Sequence, residues 1–378
     1  MSMPKILFCA TVDFHFNAFH LPYLKWFKEQ GWEVHVAAAK TMDLPYVTHQ
    51  HALSIQRSPF HMKNLLAYKE LKKLMKKHQY EVIHCHTPMG GILGRLAALQ
   101  IRKHEAYVLY TAHGFHFYKG APLLNWLVYY PIERAISSYT DVLITINSED
   151  YHLAKTKLKA HKTVHVKGVG VNTDKFKPRS KNLNKTILGY NSQDFLLIYA
   201  GEFNHNKNQQ YLIHLMKELK IRIPHAKLLL AGEGPLQANC RLLAEQLGVR
   251  ESVEFLGYHK DLNELLPLCD VAVASSFREG LPVNVMEAMA CGLPIVGTDN
   301  RGHRELIQQR QNGFIAHTLQ EFASYIEELA TNQELKYRMG MKGRNAIMNH
   351  YSLEKVMDRK RAIYEACMRK EEKRWIAN

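Results

Sequence analysis

The chain has 378 residues, 46% hydrophobic and 22% charged, a length beyond what one hydrophobic core usually supports, so two domains are expected. No low-complexity tract interrupts it, which excludes a disordered protein. Fifty Lys and Arg against 35 Asp and Glu give a net charge of +15, which calls for an anionic partner such as nucleic acid, an acidic membrane face or a phosphorylated substrate.

The opening run MSMPKILFCATVDFHF is too short for the apolar core of a signal peptide and is cut by Asp13. No later run reaches the roughly 18 uncharged residues of a spanning helix, so a cytoplasmic protein is expected. KILFCAT is predicted as a strand, NAFHLPYLKWFKEQG as a helix closed by Gly31, and WEVHVAAA as the next strand. YKELKKLMKKHQY (residues 68–80) places Leu71, Leu74, Met75 and His78 on one helical stripe and Lys72, Lys73, Lys76 and Lys77 on the other. That basic side is either a solvated face or a contact with anionic lipid, worth about 1 kcal/mol per basic residue. YEVIHCHT, YVLYTAHG and DVLITIN continue the first half as strands. The aperiodic GVGVNTDKFKPRSKNLNKT then reads as a linker, which bounds a first domain at 1–178. The alternation restarts in 186–352 with DFLLIYAGE, the helix NQQYLIHLMKELKIRIP, and the strands in AKLLLAGEGP, SVEFLGYH, DVAVASS and LPIVGT. Residues 353–378 form a basic helix able to pack back on the first domain. Strands alternating with amphipathic segments imply an α/β protein with parallel sheets.

Neither half carries G-x-x-x-x-G-K or a full G-x-G-x-x-G after its first strand, which argues against a P-loop NTPase and a dinucleotide dehydrogenase. Two Rossmann-like domains facing a central cleft would gather the strand ends around one site. In the second half, AGEFNHNKNQQ puts Lys207 before a helix, where an ammonium and free amides suit a phosphate. AGEGPL offers Gly234 for close backbone approach to a ligand. In FREGLPVNVMEAMACGLPIVGT, Gly280 and Pro282 set a turn that opens a helix, and Glu287 follows in its first turns. A carboxylate there can accept two vicinal hydroxyls while the turn's amides hold an anion. His84 and His86 share one face of a strand, and His113 and His116 could join them around zinc. Close-spaced cysteine pairs are lacking, and the six scattered cysteines read as buried thiols, so no metal ligand is assigned.

REGLPVNVMEAMACGLPIVGT resembles the E-x7-E segment of the retaining GT-B glycosyltransferases of family 4, and the similarity extends over the whole chain. It is closest to bacterial exopolysaccharide and capsular polysaccharide glycosyltransferases, some of which use UDP-N-acetylhexosamines. The resemblance implies two Rossmann-like domains, with Glu279 on the transferred sugar, Glu287 on the ribose hydroxyls and Lys207 on the diphosphate. It extends the nucleotide-binding set to Gly234, Tyr258, Gly280, Leu281, Pro282 and Asn284. YTAHGFHFYKGAP resembles the first-domain segment that supplies a histidine to the sugar, here His113, and VIHCHTPMGGILGRLAA matches the same domain. The chain departs from the pattern at Glu202, where the family usually has an arginine, so neutralisation of the diphosphate rests more on Lys207 and the turn amides, or on a basic residue from elsewhere such as Arg278 or Arg301. No D-x-D pair occurs, so metal-independent transfer without a cofactor is implied, from a UDP-sugar to a lipid-linked or oligosaccharide acceptor. An anionic membrane surface is the expected place of work. The alternatives are a UDP-N-acetylglucosamine 2-epimerase and a nucleic-acid-binding protein. No zinc finger, RNP-type sequence or Arg-rich tail supports the second, so no nucleic acid is expected as a partner.

Overall fold

The computed structural model describes residues 3–102, 106–178 and 185–369. They form two compact units, one running to Val169 and resuming at Val356, the other spanning Gly170–Lys355.

In the first unit the strands are β1 (Lys5–Val12), β2 (Glu33–Ala39), β3 (His49–Ala52), β4 (Val82–His86), β5 (Tyr107–Ala112), β6 (Val142–Thr145) and β7 (Lys162–His165). All are parallel, in the order β3-β2-β1-β4-β5-β6-β7. Every residue of β4 and β5 is buried, since a parallel strand covered on both faces has no solvent side, and the polar residues they carry, His84, His86 and Thr111, are buried with the rest. The helices between them are α1 (Phe14–Phe19), α2 (Leu21–Glu29), α3 (Lys63–His78), α4 (Pro88–Arg102), α5 (Leu123–Ser137) and α6 (Ser148–Lys157). Helix α4 lies hard against the sheet. A Cβ on Gly90 would come 2.6 Å from the Ala10 backbone, and one on Gly94 would come 2.5 Å from Cys85 Sγ.

The second unit has β8 (Phe195–Ala200), β9 (Ala226–Ala231), β10 (Val253–Gly257), β11 (Val271–Ala274), β12 (Ile295–Thr298) and β13 (Gly313–Ala316), parallel in the order β10-β9-β8-β11-β12-β13. Its helices are α7 (Gln209–Arg222), α8 (Gln237–Gln246), α9 (Leu262–Leu265), α10 (Val283–Ala290), α11 (Arg301–Leu306), α12 (Leu319–Thr331) and α13 (Gln333–Ala346). The last helix, α14 (Leu353–Met368), belongs to the first unit from Val356 onward, where the Tyr364 hydroxyl lies 2.6 Å from His84 Nδ1.

Three local expectations need correction. The single helix expected after β1 is two, broken at His20, because Pro22 lacks an N–H and starts a new helix more readily than it continues one. The short strands β3, β7 and β13 escape the sequence pattern; β3 and β7 are edge strands of four residues whose exposed positions dilute the apolar signal. Residues 170–178, read as the end of the first domain, lie in the second: Val171 N donates to Tyr351 O and Leu353 N to Val171 O.

Candidate active site

In each sheet the chain first winds one way and then the other, and the reversal leaves a crevice at the carboxyl ends of two neighbouring strands. In the second unit those strands are β8 and β11. The loop after β8 carries Lys207 and the loop after β11 carries Glu279. Lys207 is held by its backbone: its N–H donates to Asn204 Oδ1 (3.0 Å), and its carbonyl accepts from Ser275 Oγ (2.8 Å). Its ammonium lies 2.6 Å from Glu279 Oε1, with both side chains largely buried. Asn206 Nδ2 donates to Arg278 O (2.9 Å) and Arg301 Nε to Glu279 O (3.2 Å), so the Glu279 loop is pinned from two sides. Of the two arginines considered for the diphosphate, Arg301 is the one buried against Glu279. Glu202 is exposed and accepts from Asn204 Nδ2.

Gly280, Leu281 and Pro282 lead into α10. Pro282 is the N-cap, supplies no side-chain cap, and no acidic residue sits in the first turn, so the amide end of the helix is electrostatically open. Leu281 is buried beneath it. Asn284 donates Nδ2 to Ala200 O (2.7 Å), which ties the helix start to the end of β8. On the next turn the Glu287 carbonyl accepts from Cys291 N, but its carboxyl group makes no hydrogen bond to the described residues, and burial pushes it up to about 7, with Lys175 pulling the other way. An unpartnered carboxyl group one turn into an open helix start suits donors from outside the chain. Gly234 follows β9 with φ +153°, and a Cβ there would fall 2.5 Å from the Phe203 carbonyl, so only glycine lets this loop lie against the β8 loop. Tyr258 follows β10 and is 67% exposed, its N–H directed at Glu233 Oε1 (3.4 Å).

In the first unit His113 follows β5, and its surroundings differ from the expected set. His84 is engaged at both nitrogens, by Tyr364 Oη (2.6 Å) and Thr111 Oγ1 (2.8 Å), and the His116 ring packs at a tilt against Tyr129 with centroids 4.9 Å apart. Of that set His86 does adjoin His113 (Nδ1 to Nε2, 3.4 Å), and the further neighbours are His15 (ring centroids 4.7 Å) and His20 (6.0 Å). Burial, then His15, Lys360 and His84, hold the His113 imidazole far below its usual value, so it is neutral at pH 7 and able to donate or accept a hydrogen bond. Lys360 of α14 is fully buried, its ammonium over the Tyr23 ring at 4.4 Å, and burial lowers it to about 7. Nothing in the local sequence marks His15, His20 or Lys360, because each comes from a different element. Beside His15 opens a cavity of about 530 Å³ lined by Phe14, Phe19, Phe60, Phe115 and Tyr129, among others. Its single acidic lining residue, Glu133, is paired with the buried Arg95 (2.6 and 2.9 Å). Helix α5, which supplies Val128, Tyr129 and Ile132 to the wall, also exposes Leu123, Leu124 and Leu127.

Residues 180–346 match the family Glycosyl transferases group 1, and residues 5–147 match Glycosyl transferase 4-like. EpsD of Bacillus subtilis (strain 168), which its name places among the glycosyltransferases, is 49% identical over 96% of this chain and 97% of its own. The chain belongs to the group 1 glycosyltransferases. An Escherichia coli relative, UDP-Gal:alpha-D-GlcNAc-diphosphoundecaprenol alpha-1,3-galactosyltransferase, is 28% identical over 80% of this chain and 79% of its own. Anabaena Alr3699/HepE, solved in complex with UDP and glucose, superposes with a TM-score of 0.78 at 18% identity, covering 96% of this glycosyltransferase and 100% of that chain. The enzyme therefore has the GT-B fold, and its family favours sugar transfer over 2-epimerisation. Among the described residues no helix is long and apolar enough to cross a membrane.

Proposed function

We propose that this glycosyltransferase moves a sugar, with retention of configuration, from a UDP-sugar to a lipid-linked acceptor during assembly of an exopolysaccharide or capsule. The observation that carries the reading is the Lys207–Glu279 pair at the open start of α10, with the Glu287 carboxyl unpartnered on the next turn. Glu287 accepts the two ribose hydroxyls of the nucleotide. The diphosphate lies against the α10 amides and takes the Lys207 ammonium from Glu279, with Arg301 close by in place of the family's usual arginine. Glu279, released, accepts from hydroxyls of the transferred sugar. The leaving diphosphate takes the acceptor's proton as the new bond forms on the same face, so the protein's part is to position and stabilise. Lysine, arginine and helix amides supply the positive charge, and no divalent metal is needed at the sugar. The apolar cavity beside His15, flanked by exposed leucines of α5, suits the hydrocarbon of a polyprenyl-diphosphate sugar, the kind of acceptor named for the E. coli relative.

A panel of UDP-, GDP- and ADP-sugars in a thermal-shift experiment tests the donor, since a ligand bound only by the native state raises Tm by mass action. Radiolabel passing from the stabilising UDP-sugar to a polyprenyl-diphosphate-linked sugar in the presence of EDTA is the expected outcome. Stabilisation by GDP- or ADP-sugars alone rejects the donor, and label reaching only water-soluble acceptors rejects the lipid.

A further inference from the structure

Away from the strand ends that carry the sugar site, four histidines and a glutamate converge on the outer edge of the first sheet. His35 and Glu33 come from β2, His49 and His51 from the edge strand β3, and His78 from the last turn of α3. The parallel register sets His35 beside His49, and the strand period of two returns His51 to the same face. Ring centroids lie 4.8 Å apart for His35 and His49, 4.9 Å for His35 and His78, and 5.2 Å for His35 and His51.

One ligand atom each from His35, His51 and His78 can be chosen so that all lie within 4.8 Å of one another, and the same holds for Glu33, His35 and His49. His51 Nε2 is already 3.2 Å from His35 Nδ1. His35 is fully buried, and its Nε2 has no hydrogen-bond partner, its nearest acid being Glu33 Oε2 at 3.5 Å. His35 Nδ1 is the point where the cluster meets, with the Tyr80 hydroxyl and His51 Nε2 both within hydrogen-bond distance, while the buried Nε2 is left without a partner, a cost that apolar packing does not offset. A cation bound at Nδ1 fixes the ring proton on Nε2, the nitrogen that faces Glu33. Tetrahedral ligation at about 2.0–2.1 Å needs ring nitrogens about 3.4 Å apart, a contraction within reach of small imidazole rotations.

We propose that His35, His51 and His78 form a site for a divalent transition metal of the zinc class, separate from glycosyl transfer. His35 ligates through Nδ1, and Glu33 holds its Nε2–H, the carboxylate–histidine–metal arrangement that orients a ligand ring. The Tyr80 hydroxyl, now 2.7 Å from His35 Nδ1, is displaced. Water, or His49, completes the fourth position. Lys5 and Lys77 stand near enough to oppose the ion, but Lys5 is already paired with Glu33 (3.8 Å), and exposed Lys77 is free to swing outward. Bound metal would clip β3, which pairs only with β2, to the end of α3 and so protect a short sheet edge.

The test uses the untagged full-length protein, stripped with a chelator and titrated with Zn(II) by calorimetry and with Co(II) by visible absorption. One equivalent is expected to bind at neutral pH with a tetrahedral Co(II) spectrum, and Zn(II) is expected to raise Tm. His78→Ala, at the end of a helix, should fold with the Tm of the metal-free parent, bind at least tenfold more weakly and lose the Zn(II)-dependent rise. His51→Ala should behave alike. Absence of binding overturns the site. So does binding that survives both substitutions, or binding removed by His113→Ala, which would place the ion in the other histidine cluster. Loss of transfer activity on chelation with no change in Tm would also overturn it.

Discussion

The two units repeat one architecture but differ in how many histidines they bury. In the first, His20, His35, His84 and His86 are fully buried and held neutral, with His15 and His113 beside them. In the second, His303 is the only histidine fully buried among the described residues, and the polar interior is built on fixed charges: Lys207 with Glu279, and Asp270 with Lys185 (2.8 Å) and Lys336 (2.5 Å). Neutral imidazoles carry no permanent charge into the interior, but acid can charge them; ion pairs resist acid until the carboxylate protonates. Equal folds therefore need not fail under equal conditions.

Acid should produce the largest effect. Burial lowers His15 to about 4 and His35 to about 3, while their unfolded value stays near 6.5. Between those limits the unfolded chain binds more protons, so stability is full above about pH 6.5 and falls as pH drops toward 4, by up to about 1.4 kcal/mol per unit for each histidine. Asp270 is held below its usual value, since Lys336 and Lys185 outweigh burial, and its contribution is lost only below about pH 4. At pH 5 the first unit should melt before the second. Trp26, Trp32 and Trp126 all lie in the first unit, so tryptophan fluorescence should change before far-UV circular dichroism is fully lost. Coincident transitions would break the contrast.

The first unit also buries charged residues, among them Asp13, Asp150, Lys360 and the pair Arg95 and Glu133, which is doubly hydrogen-bonded with Arg95 also 3.9 Å over the Tyr110 ring. Arg95→Ala leaves a carboxylate without its partner beside the apolar cavity and should cost about 3–5 kcal/mol, read as an early fluorescence transition at pH 7.5. A loss below about 1 kcal/mol would show that water reaches Glu133 freely.

In the second unit Glu279→Gln removes the anion that competes for Lys207. Transfer should fall on the order of 10²-fold, about 2.7 kcal/mol, while UDP affinity in calorimetry stays level or rises. Parallel losses of both would return Glu279 to a structural role. Glu287 carries the opposite sign to the histidines. Its folded value of about 7 exceeds the usual 4.5, so the native state binds the extra proton, and ionisation costs stability that is absent below about pH 4.5 and complete above pH 7. Glu287→Gln should raise stability at pH 8 by on the order of 1–2 kcal/mol, read as a higher Tm, and weaken UDP binding. UDP binding to the parent near pH 6.5 should release protons, visible as a calorimetric heat that varies with buffer. A buffer-independent heat would rule out ribose hydroxyls at this carboxylate.

The smallest effect is at the surface. Lys73, Lys76 and Lys77 of α3 are exposed, and the net charge is +15. Sedimentation with anionic vesicles should weaken by about 1 kcal/mol per Lys→Gln change and vanish as salt shortens the screening length from about 10 Å at 0.1 M. Binding that ignores lipid charge would transfer the membrane contact to the leucines of α5.

Local pattern was enough for the parts of the molecule that depend on neighbours in the chain. The buried strands β1, β5, β8 and β9 announce themselves by largely apolar runs, because parallel pairing under helices leaves no solvent face. The turn Gly280–Pro282, Lys207 before α7 and Glu287 within α10 are legible for the same reason, since a strand, a turn and a helix start lie within a few residues of one another. Edge strands β3 and β7 are not, because half of their surface faces solvent and four residues set no period. What tertiary structure alone decided is which distant side chains meet. His15 comes from α1, His20 from the break before α2, His86 from β4 and His113 from the loop after β5, Lys360 reaches them from α14, and the edge histidines come together only because β3 adds beside β2 at the end of α3. The pairing of Lys207 with Glu279 likewise depends on β8 lying next to β11, neighbours in the sheet that are 70 residues apart in the chain. Spacing records the intervals along a chain, and burial, which sets the protonation of all these groups, depends on the intervals across it.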